Sequence, residues 1–371
     1  MDLPTLYKTQ ISLTEWFQRM GLVNSEAHRK EDNEKLERLA VLNTYIGLPF
    51  NRSIQFLASA LANSSPEFVD FLETRGHELC ALRLIPIDPA LPKLRTRGAS
   101  IAESMEWFAL QDIDPEKYKA DFMPHPGDNT WSTIFVVNQH GAFGQVLAGP
   151  HNQLTQGFYT EGMEPMTFSW DGVHWNLSLD RPLAEAHMRE VMEMLRVSDP
   201  AIREKLTTEF GATFFGEYLC GYFETATSTE FGIWFIDWNR LLGATYGDER
   251  CQILMNEDEG SSRVLRGQIG SRGLVTGRAR VILAADVAGA DIETGDILVT
   301  DMTTPDFLPL MMKAGGVVTL WGGILSHAAI VCRELGKPCV TNVKGALESI
   351  QDGDTVEVDA TAGTVRVVSR A

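Results

Sequence analysis

The chain has 371 residues, 44% of them hydrophobic, and it carries 50 acidic against 32 basic side chains, for a formal net charge of −18. This length exceeds what one hydrophobic core usually serves, so we expect two or three domains. The acidic balance argues against partners such as nucleic acid or an anionic membrane surface, although a local basic patch could still hold a nucleotide.

The five cysteines are scattered and form no C-x-x-C pair. This spacing predicts reduced thiols in a cytoplasmic protein rather than a disulfide framework or a zinc site. The N-terminus lacks both a basic segment and a long apolar run, so we expect no signal peptide and no membrane-spanning helix.

The first part of the chain is predicted to be helical. Apolar residues follow helical spacing over residues 6–62, including the run at 54–57. The densely charged run at 26–37 is interpreted as a solvated helix face or a surface insert. A further helix is predicted over 65–82, because its opening Ser-Ser-Pro-Glu suits a cap and a first turn.

The middle of the chain changes character. Residues 93–100 mix apolar residues with basic ones, among them Arg97, and such a cluster is either a wet surface or a phosphate-binding loop. Residues 131–137 form a strong β-run, and 182–195 a helix with one exposed side.

A glycine-rich segment follows that β-run at residues 141–149 and includes Gly144 and Gly149. Glycines at this density let a backbone approach a ligand closely. A simple β-hairpin explains the same pattern equally well, so the segment alone does not predict a nucleotide site.

Two predicted strands carry oxygen ligands near their ends. Residues 221–225 contain Glu224, and residues 233–240 contain Asp237 and Asn239. Hard cations prefer oxygen donors, so these three side chains could share one Mg²⁺. The alternative is that the two acidic residues face solvent.

A charged stretch containing glycine and serine, residues 246–264, is interpreted as a linker. Beyond it, the pattern predicts short strands at 275–283, 296–299 and 315–319. The chain closes on a predicted hairpin at 355–359 and 363–367.

The most distinctive stretch is WGGILSHAAIVCRELG, residues 321–336. Two glycines precede Ser326 and His327, and an apolar, helix-forming run then stops at Gly336. This pattern predicts a turn that presents His327 in the first turn of a short helix, where exposed N–H groups would stabilise a phosphoryl group on the imidazole. Taken alone, a histidine at a helix start is more often a cap-region or surface residue.

Together with Thr303-Thr304-Pro305-Asp306, Gly315-Gly316-Val317-Val318-Thr319 and Gly336-Lys337-Pro338-Cys339-Val340, this stretch resembles the signature of a known domain. The domain is the swivelling phosphohistidine domain of the phosphoenolpyruvate-utilising enzymes, which include phosphoenolpyruvate synthase, pyruvate phosphate dikinase, rifampicin phosphotransferase and phenylphosphate synthase. The resemblance implies a β/β/α domain at 265–371 whose His327 carries a phosphoryl group. It also implies that Ser326 caps the helix or orients the imidazole, and that Arg333 contacts the phosphoryl group or pairs with Glu334 or another acidic residue.

Residues 1–245 present a lysine, an arginine-bearing turn, a glycine-rich strand and a pair of carboxylate-bearing strands in the order in which the ATP-grasp domain of the same enzymes presents them. Residues 246–264 are then the linker. The expected fold is therefore α/β and multidomain, with a divergent, ATP-grasp-like α+β region that binds a nucleotide or an acceptor. By this resemblance, the residues that would bind ATP and Mg²⁺ are Lys8, Arg97, Gly144 and Gly149 for the nucleotide and Glu224, Asp237 and Asn239 for the metal. Two departures bear on ATP turnover: Asp-Trp-Asn-Arg at 237–240 replaces the usual Gln-Ala-Arg-Pro, and Gln145 stands where a glutamate is typical.

The resemblance implies an ATP-dependent phosphotransferase subunit of the dikinase type, which converts ATP to AMP and phosphate. It would pass the phosphoryl group through a phosphohistidine to a small organic hydroxyl acceptor such as a phenol, as phenylphosphate synthase does. Pyruvate phosphate dikinases have a regulatory threonine, which is phosphorylated, at the position of Leu325. Leucine has no hydroxyl, so this regulation is excluded at that position. A hydrophobic residue there resembles the branch of the family that phosphorylates organic hydroxyl groups.

The chain ends at Ala371, where the larger relatives continue into a pyruvate-binding barrel. We therefore expect a second protein subunit that supplies the nucleotide or acceptor site, or an acceptor site in the N-terminal region. Two alternatives are a subunit of a split phosphoenolpyruvate synthase and a non-catalytic phosphocarrier protein.

Overall fold

The computed structural model describes residues 13–21, 24–50, 53–88, 91, 94–96, 98–124, 128–157, 159, 163–179, 181–249 and 264–371. These residues form three sheets of five, six and eight strands, together with one two-stranded hairpin and flanking helices. The expected mixed α/β character is confirmed. No helix of the described residues is both long enough and apolar enough to cross a membrane.

The chain opens with three helices, α1 (Leu13–Arg19), α2 (Ser25–Asn33) and α3 (Lys35–Ile46). The last of these ends at Gly47, whose left-handed backbone closes the helix with an N–H bond to Asn43. The charged run lies on α2 and on the first turn of α3. Its interpretation as a solvated face is wrong for Glu31, which is only 4% exposed.

The five-stranded sheet, sheet 1, is antiparallel in the order β1-β5-β2-β3, with β4 also paired to β2. Its strands are β1 (Ile54–Leu57), β2 (Leu79–Pro86), β3 (Leu94–Arg95), β4 (Ala99–Ser100) and β5 (Tyr118–Pro124), and its helices are α4 (Ala58–Ala62), α5 (Pro66–Arg75) and α6 (Ile101–Ala109).

Two helix predictions are wrong here. Residues 54–57 form a strand, and the helix capped by Ser65 ends at Arg75, four residues before β2 begins. Short apolar runs fit either a buried strand or a helix, so periodicity alone does not distinguish them.

The six-stranded sheet, sheet 2, is antiparallel in the order β13-β12-β6-β7-β8-β9. Its strands are β6 (Asn129–Asn138), β7 (Gly141–Leu147), β8 (Met166–Trp170), β9 (Trp175–Leu177), β12 (Gly221–Ser228) and β13 (Gly232–Asn239). Around it lie α7 (His151–Gln156), α8 (Pro182–Met194), α9 (Pro200–Phe210), the hairpin β10 (Phe214–Phe215) with β11 (Tyr218–Leu219), and α10 (Arg240–Thr245). The predicted strand at 131–137 and the predicted helix at 182–195 are confirmed.

The eight-stranded sheet, sheet 3, has the order β14-β21-β20-β16-β17-β18-β19-β15, and strands β16 to β19 run parallel. Its elements are β14 (Val264–Arg266), β15 (Gln268–Ser271), β16 (Leu274–Val281), β17 (Ile297–Thr300), α11 (Leu308–Lys313), β18 (Gly316–Thr319), α12 (His327–Glu334), β19 (Cys339–Thr341), α13 (Ala346–Ser349), β20 (Thr355–Asp359) and β21 (Thr364–Ser369). The predicted strands and the closing hairpin are confirmed.

The two faces of sheet 2 have different neighbours. One face, which includes Phe135 and Phe223, packs against side chains of the surrounding helices. The other face carries Ile134 and Tyr222 and shares one continuous apolar core with the C-terminal region, including Leu325. The C-terminal region is therefore docked on sheet 2, and the stretch containing His327 lies at that junction.

Candidate active site

One row of side chains crosses sheet 2 beneath the C-terminal region. Strand register pairs Gln145 with Ile134, Ile134 with Glu224, and Glu224 with Asp237. Side chains of directly paired residues lie on the same face of a sheet, so all four point towards the C-terminal region. A bulge at Ile236, between the pairings of Glu224 and Thr225, bends the edge strand just beside Asp237.

Glu224 and Asp237 form a like-charged cross-strand pair. Burial raises the pKa of Asp237, and the neighbouring Glu224 raises it further, although the Lys35 ammonium opposes both effects. Burial would also raise the pKa of Glu224, but His151, Lys35 and Tyr222 together hold it well below its usual range. Glu224 is thus held ionised, whereas the raised pKa of Asp237 favours its protonated form.

Two donors hold Glu224 in place. The ring Nε2 of His151 lies 2.9 Å from Glu224 Oε2, and the Tyr222 hydroxyl donates to Oε1 at 2.9 Å. Helix α7 starts at His151, directly after Pro150, so the end of the glycine-rich segment delivers this histidine to the carboxylate. Sequence reasoning missed His151, and its position after the glycines was the available signal.

Charged side chains of helix α3 approach the same carboxylates along the edge of sheet 2. Arg38 donates through Nε and Nη2 to the carbonyl of Trp238, at 3.2 and 3.0 Å, and its Nη2 lies 3.9 Å from Asp237 Oδ1. Lys35 is one turn earlier on the helix, and its Nζ lies 3.4 Å from Asp32. Sequence reasoning missed both residues because the carboxylates of sheet 2 lie about 200 residues further along the chain.

His327 occupies the first position of α12 and is partly buried. Burial lowers the pKa of His327 to about 4, against an opposing effect from Glu224 and with a further contribution from Arg95. The imidazole therefore lies within electrostatic range of sheet 2 through Glu224 and of sheet 1 through Arg95. A ring with this pKa is neutral near pH 7, which is the nucleophilic form of histidine.

Ser326 precedes His327 in the N-cap position, but its side chain does not cap the helix. Its hydroxyl donates instead to the carbonyl of Gly323 at 2.9 Å and closes the glycine turn. The prediction that Ser326 orients the imidazole stays a prediction, with the turn as its structural basis.

Two glycines of the turn allow close contact with sheet 2 and its helix α7. A Cβ on Gly323 would lie 1.9 Å from Gln145 Oε1, and a Cβ on Gly157 would lie 2.7 Å from the Cα of Gly322. Gln145 also donates to Gln268 at 3.2 Å, so it contacts the C-terminal region twice. Glutamine at this position therefore has an interface role in this structure.

Arg333 lies nearly two turns after His327 and contacts the end of the preceding region. Its guanidinium carbon is 4.0 Å from the ring centroid of Tyr246, and its Nε is 3.9 Å from Glu249. The neighbouring Glu334 accepts a hydrogen bond from Thr245 at 3.2 Å. Arg333 was expected either to pair with an acidic residue or to contact the phosphoryl group. Its ion pair with Glu249 agrees with the first expectation. The second stays a prediction.

The remaining predicted residues have mixed outcomes. Lys8 and Arg97 lie outside the described residues. Gly144 has a packing reason, because a Cβ there would lie 2.2 Å from the carbonyl oxygen of Ile134. The carbonyl of Gly149 accepts the hydroxyl of Ser132 at 2.6 Å. A nucleotide contact by either glycine stays a prediction.

Asn239 lies two residues beyond Asp237, in register with Tyr222, and its Oδ1 accepts the N–H of Leu242 at 2.9 Å to cap α10. The residues that fit a cation best are therefore Asp237 and Glu224. The Oδ1 of Asp237 is buried without a hydrogen-bond partner, and Glu224 lies directly across the strand pair.

Two curated relatives are similar to a stretch of about 100 residues of this chain. Rifampicin phosphotransferase of Streptomyces sviceus is 46% identical over 99 residues, which are 27% of this chain and 11% of that protein. Phosphoenolpyruvate synthase of Aeropyrum pernix is 44% identical over 102 residues, which are 28% of this chain and 12% of that protein. The chain thus matches only about a tenth of the length of these relatives.

Similarity to solved structures is weak. Phosphoribosylamine–glycine ligase of Thermotoga maritima aligns over 56% of this chain and 47% of its own, with 11% identity and a TM-score of 0.30. A similarity at this level carries no assignment of fold or function.

A family model described as the mobile domain of PEP-utilising enzymes matches residues 292–363, which include the glycine turn, His327 and helix α12. The same region carries the sequence identity to the two phosphotransferring relatives. The C-terminal part of the chain therefore contains a domain that matches the mobile domain of PEP-utilising enzymes.

Proposed function

We propose that this chain is an ATP-dependent phosphotransferase subunit in which His327 carries a phosphoryl group from a nucleotide to an organic hydroxyl acceptor. The observation that carries the proposal is the contact of the glycine turn before His327 with Gln145 of sheet 2, in the same cross-strand row as Glu224, while Arg95 of sheet 1 acts electrostatically on the same imidazole. A nucleotide bound between these two sheets would have its phosphates beside the imidazole.

The chemistry requires a neutral, exposed imidazole nitrogen. Its lone pair forms the N–P bond while the P–O bond to the leaving nucleotide breaks, and that electron pair stays on the leaving oxygen. The proton on the other ring nitrogen is then released. In the second step an acceptor hydroxyl oxygen bonds to phosphorus, the P–N electron pair returns to the ring, and the hydroxyl proton is lost.

Each charged group near His327 has a defined part in this scheme. Arg95, in register with Arg83 on β2, would neutralise phosphate oxygens. Glu224 and Asp237 would hold Mg²⁺, consistent with the unpartnered, buried oxygen of Asp237. The ion supplies charge neutralisation for the polyphosphate when bound. His151 and Tyr222, each in contact with one Glu224 oxygen, would fix that carboxylate for this role.

The acceptor is proposed to be a small organic hydroxyl compound, such as a phenol, with a second subunit completing the site. Leu325, two residues before His327, is 1% exposed and packs in the core shared by sheet 2 and the C-terminal region. An apolar residue there supports docking and leaves no hydroxyl for modification.

The test uses ATP labelled at either the β or the γ phosphorus, incubated with the purified chain and then digested for mapping of acid-labile label. The proposal predicts label on His327, loss of that label in His327→Ala, and retention in His174→Ala, whose side chain is 76% exposed. Release of AMP and phosphate identifies dikinase chemistry, whereas ADP identifies simple kinase chemistry.

The remaining outcomes separate the alternatives. Label that appears on His327 only after a phosphorylated partner is added identifies a phosphocarrier. Discharge of labelled chain onto pyruvate, but not onto phenols, identifies a subunit of a split phosphoenolpyruvate synthase. Label at residues other than His327 contradicts the proposal.

A further inference from the structure

We propose that Gln268 is a positioning residue that sets where His327 stands on sheet 2 when the C-terminal region is docked. Its amide bridges Gln145 and Thr167, two paired residues of sheet 2, and so fixes the register of docking. The inference rests on the proposed function, because it concerns how His327 is placed for phosphoryl transfer. It also gives a role to Gln145, which stands where a glutamate is typical of the domain that this region resembles.

The bridge spans a cross-strand pair of sheet 2. Gln145 on β7 is in register with Thr167 on β8, so both side chains lie on the face that carries the docked C-terminal region. Gln145 Nε2 donates to Gln268 Oε1 at 3.2 Å, and Gln268 Nε2 donates to Thr167 Oγ1 at 3.2 Å. One amide of the C-terminal region thus uses its acceptor and its donor on two neighbouring strands, which fixes its position both along and across them.

The groups of the bridge are withdrawn from water. Gln145 is fully buried, Thr167 is 5% exposed, and Gln268 is partly buried. Gln145 Oε1 has no hydrogen-bond partner among the described residues, so the hydrogen bonding of this amide depends on Nε2 and Gln268. A buried polar group without a partner is costly. A shift of the C-terminal region along sheet 2 would therefore break both bonds where no water can replace them.

A short path connects the bridge with the turn before His327. Gln268 on β15 is in register with Thr341 on β19. The Cβ of Thr341 lies 3.2 Å from the position that a Cβ on Gly322 would take, and Ser326 Oγ lies 3.3 Å from the same position. The turn therefore rests against the strand next to Gln268, and Ser326 directly precedes His327. Displacement of Gln268 on sheet 2 would move the turn, and His327 with it.

The bridge differs in kind from the other contacts of the same interface. Apolar side chains of sheet 2 and the C-terminal region form one continuous core, and hydrophobic contact is non-directional. The ion pair between Lys344 and Glu164, at 3.1 Å, lies at the rim with the two side chains 71% and 46% exposed, so it contributes little. A buried and directional amide pair favours one arrangement over its neighbours. The bridge is therefore the contact that selects one docked position.

The test compares Gln268→Met with the double variant Gln145→Met/Gln268→Met, because methionine keeps the side-chain length and removes the hydrogen bonds. Gln268→Met leaves two buried polar groups unpaired, so the docked lifetime should fall about tenfold. Single-molecule energy transfer between dyes at the exposed positions Glu116 and Glu348 measures it. In the double variant an apolar pair replaces the polar pair, so the lifetime should recover. Labelling of His327 from ATP should stay about tenfold below wild type in both variants, because the ring is misplaced. The docked transfer efficiency should stay shifted for the same reason.

Lys344→Ala is the matched control, because it removes a polar contact of the same interface at its exposed rim. It should leave the lifetime, the transfer efficiency and the labelling unchanged. Recovery of labelling together with the lifetime in the double variant overturns the proposal, because the bridge then supplies affinity alone. An unchanged docked lifetime in Gln268→Met also overturns it.

Absence of label in the wild-type chain counts against the proposed function itself. The docked transfer efficiency of the double variant then decides on the bridge: a shifted efficiency supports it, and the wild-type efficiency overturns it. Thr167→Val, which removes one arm of the bridge, replaces Gln268→Met if that variant lowers the thermal unfolding temperature.

Discussion

Replacing Arg333 by alanine should loosen the docking of the C-terminal region without unfolding it. The guanidinium carbon of Arg333 lies 4.0 Å from the ring centroid of Tyr246, which is fully buried, and the arginine side chain is 13% exposed. A desolvated cation–π contact contributes about 2 kcal/mol. The 3.9 Å ion pair with Glu249 adds at most about 1 kcal/mol. The sum corresponds to a roughly 30- to 150-fold loss in the docking equilibrium constant.

The assay is single-molecule energy transfer between dyes carried by unnatural amino acids at two exposed positions, Glu116 in the 3-10 turn before β5 and Glu348 in the C-terminal region. Arg333→Ala should shorten the lifetime of the docked state by roughly that factor. Arg333→Lys keeps the charge but loses the planar stacking, so its lifetime should be intermediate. Arg366→Ala is the surface control, because that arginine is 52% exposed and pairs with Glu357 within sheet 3.

An unchanged docked lifetime in Arg333→Ala would refute this reasoning. If labelling of His327 is lost at the same time, the arginine acts on the phosphoryl group instead. Loss of docking with retained, slower labelling supports an interface role.

Three further perturbations test other contacts. Gly323→Ala would place a Cβ 1.9 Å from Gln145 Oε1, so overpacking should reduce labelling of His327 by about tenfold, and wild-type labelling would contradict the interface geometry. The pKa of docked His327 is about 4, against an ordinary value of 6.5, so docking is favoured by the neutral ring and this contribution is complete above pH 6.5. Small-angle scattering should show the docked fraction falling as the pH is lowered from 6.5 towards 4. A docked fraction that does not change with pH would refute burial of the ring by docking. Arg38→Met removes a buried cation from Glu31 and Asp237, while Arg240 stays paired with Glu31. Urea unfolding should show a loss of about 3 kcal/mol in the free energy of unfolding, and a loss below about 1 kcal/mol would show that the network is solvated.

The outcome of the sequence predictions follows the range of the interactions involved. The turn and helix around His327 were predictable because local signals coincide within sixteen residues: two glycines, a serine, an apolar run and a closing glycine. Five strands of sheet 3, β16, β17, β18, β20 and β21, were predictable for the same reason, since each is a short β-rich run between turn residues. Strands β14, β15 and β19 were not predicted.

The approach of Lys35 and His151 to Glu224 was not predictable from the chain, because it depends on strand register and helix docking between distant segments. The burial of Glu31 shows the same limit. Its carboxylate pairs with Arg240, which lies 209 residues further along the chain, at 2.6 Å. A periodicity of charges cannot reveal such a partner, so the run is typical of a solvated face until the fold is known.

The central claim is that His327 temporarily carries a phosphoryl group beside the Glu224–Asp237 pair. Its most direct test is tandem mass spectrometry of the chain after brief incubation with Mg²⁺ and ATP and an alkaline quench, which preserves phosphohistidine. The account predicts one added phosphoryl group at His327 in the wild type and a large reduction in Glu224→Gln with the fold retained. Full occupancy of His327 in Glu224→Gln, or a phosphoryl group at any other residue, would contradict it.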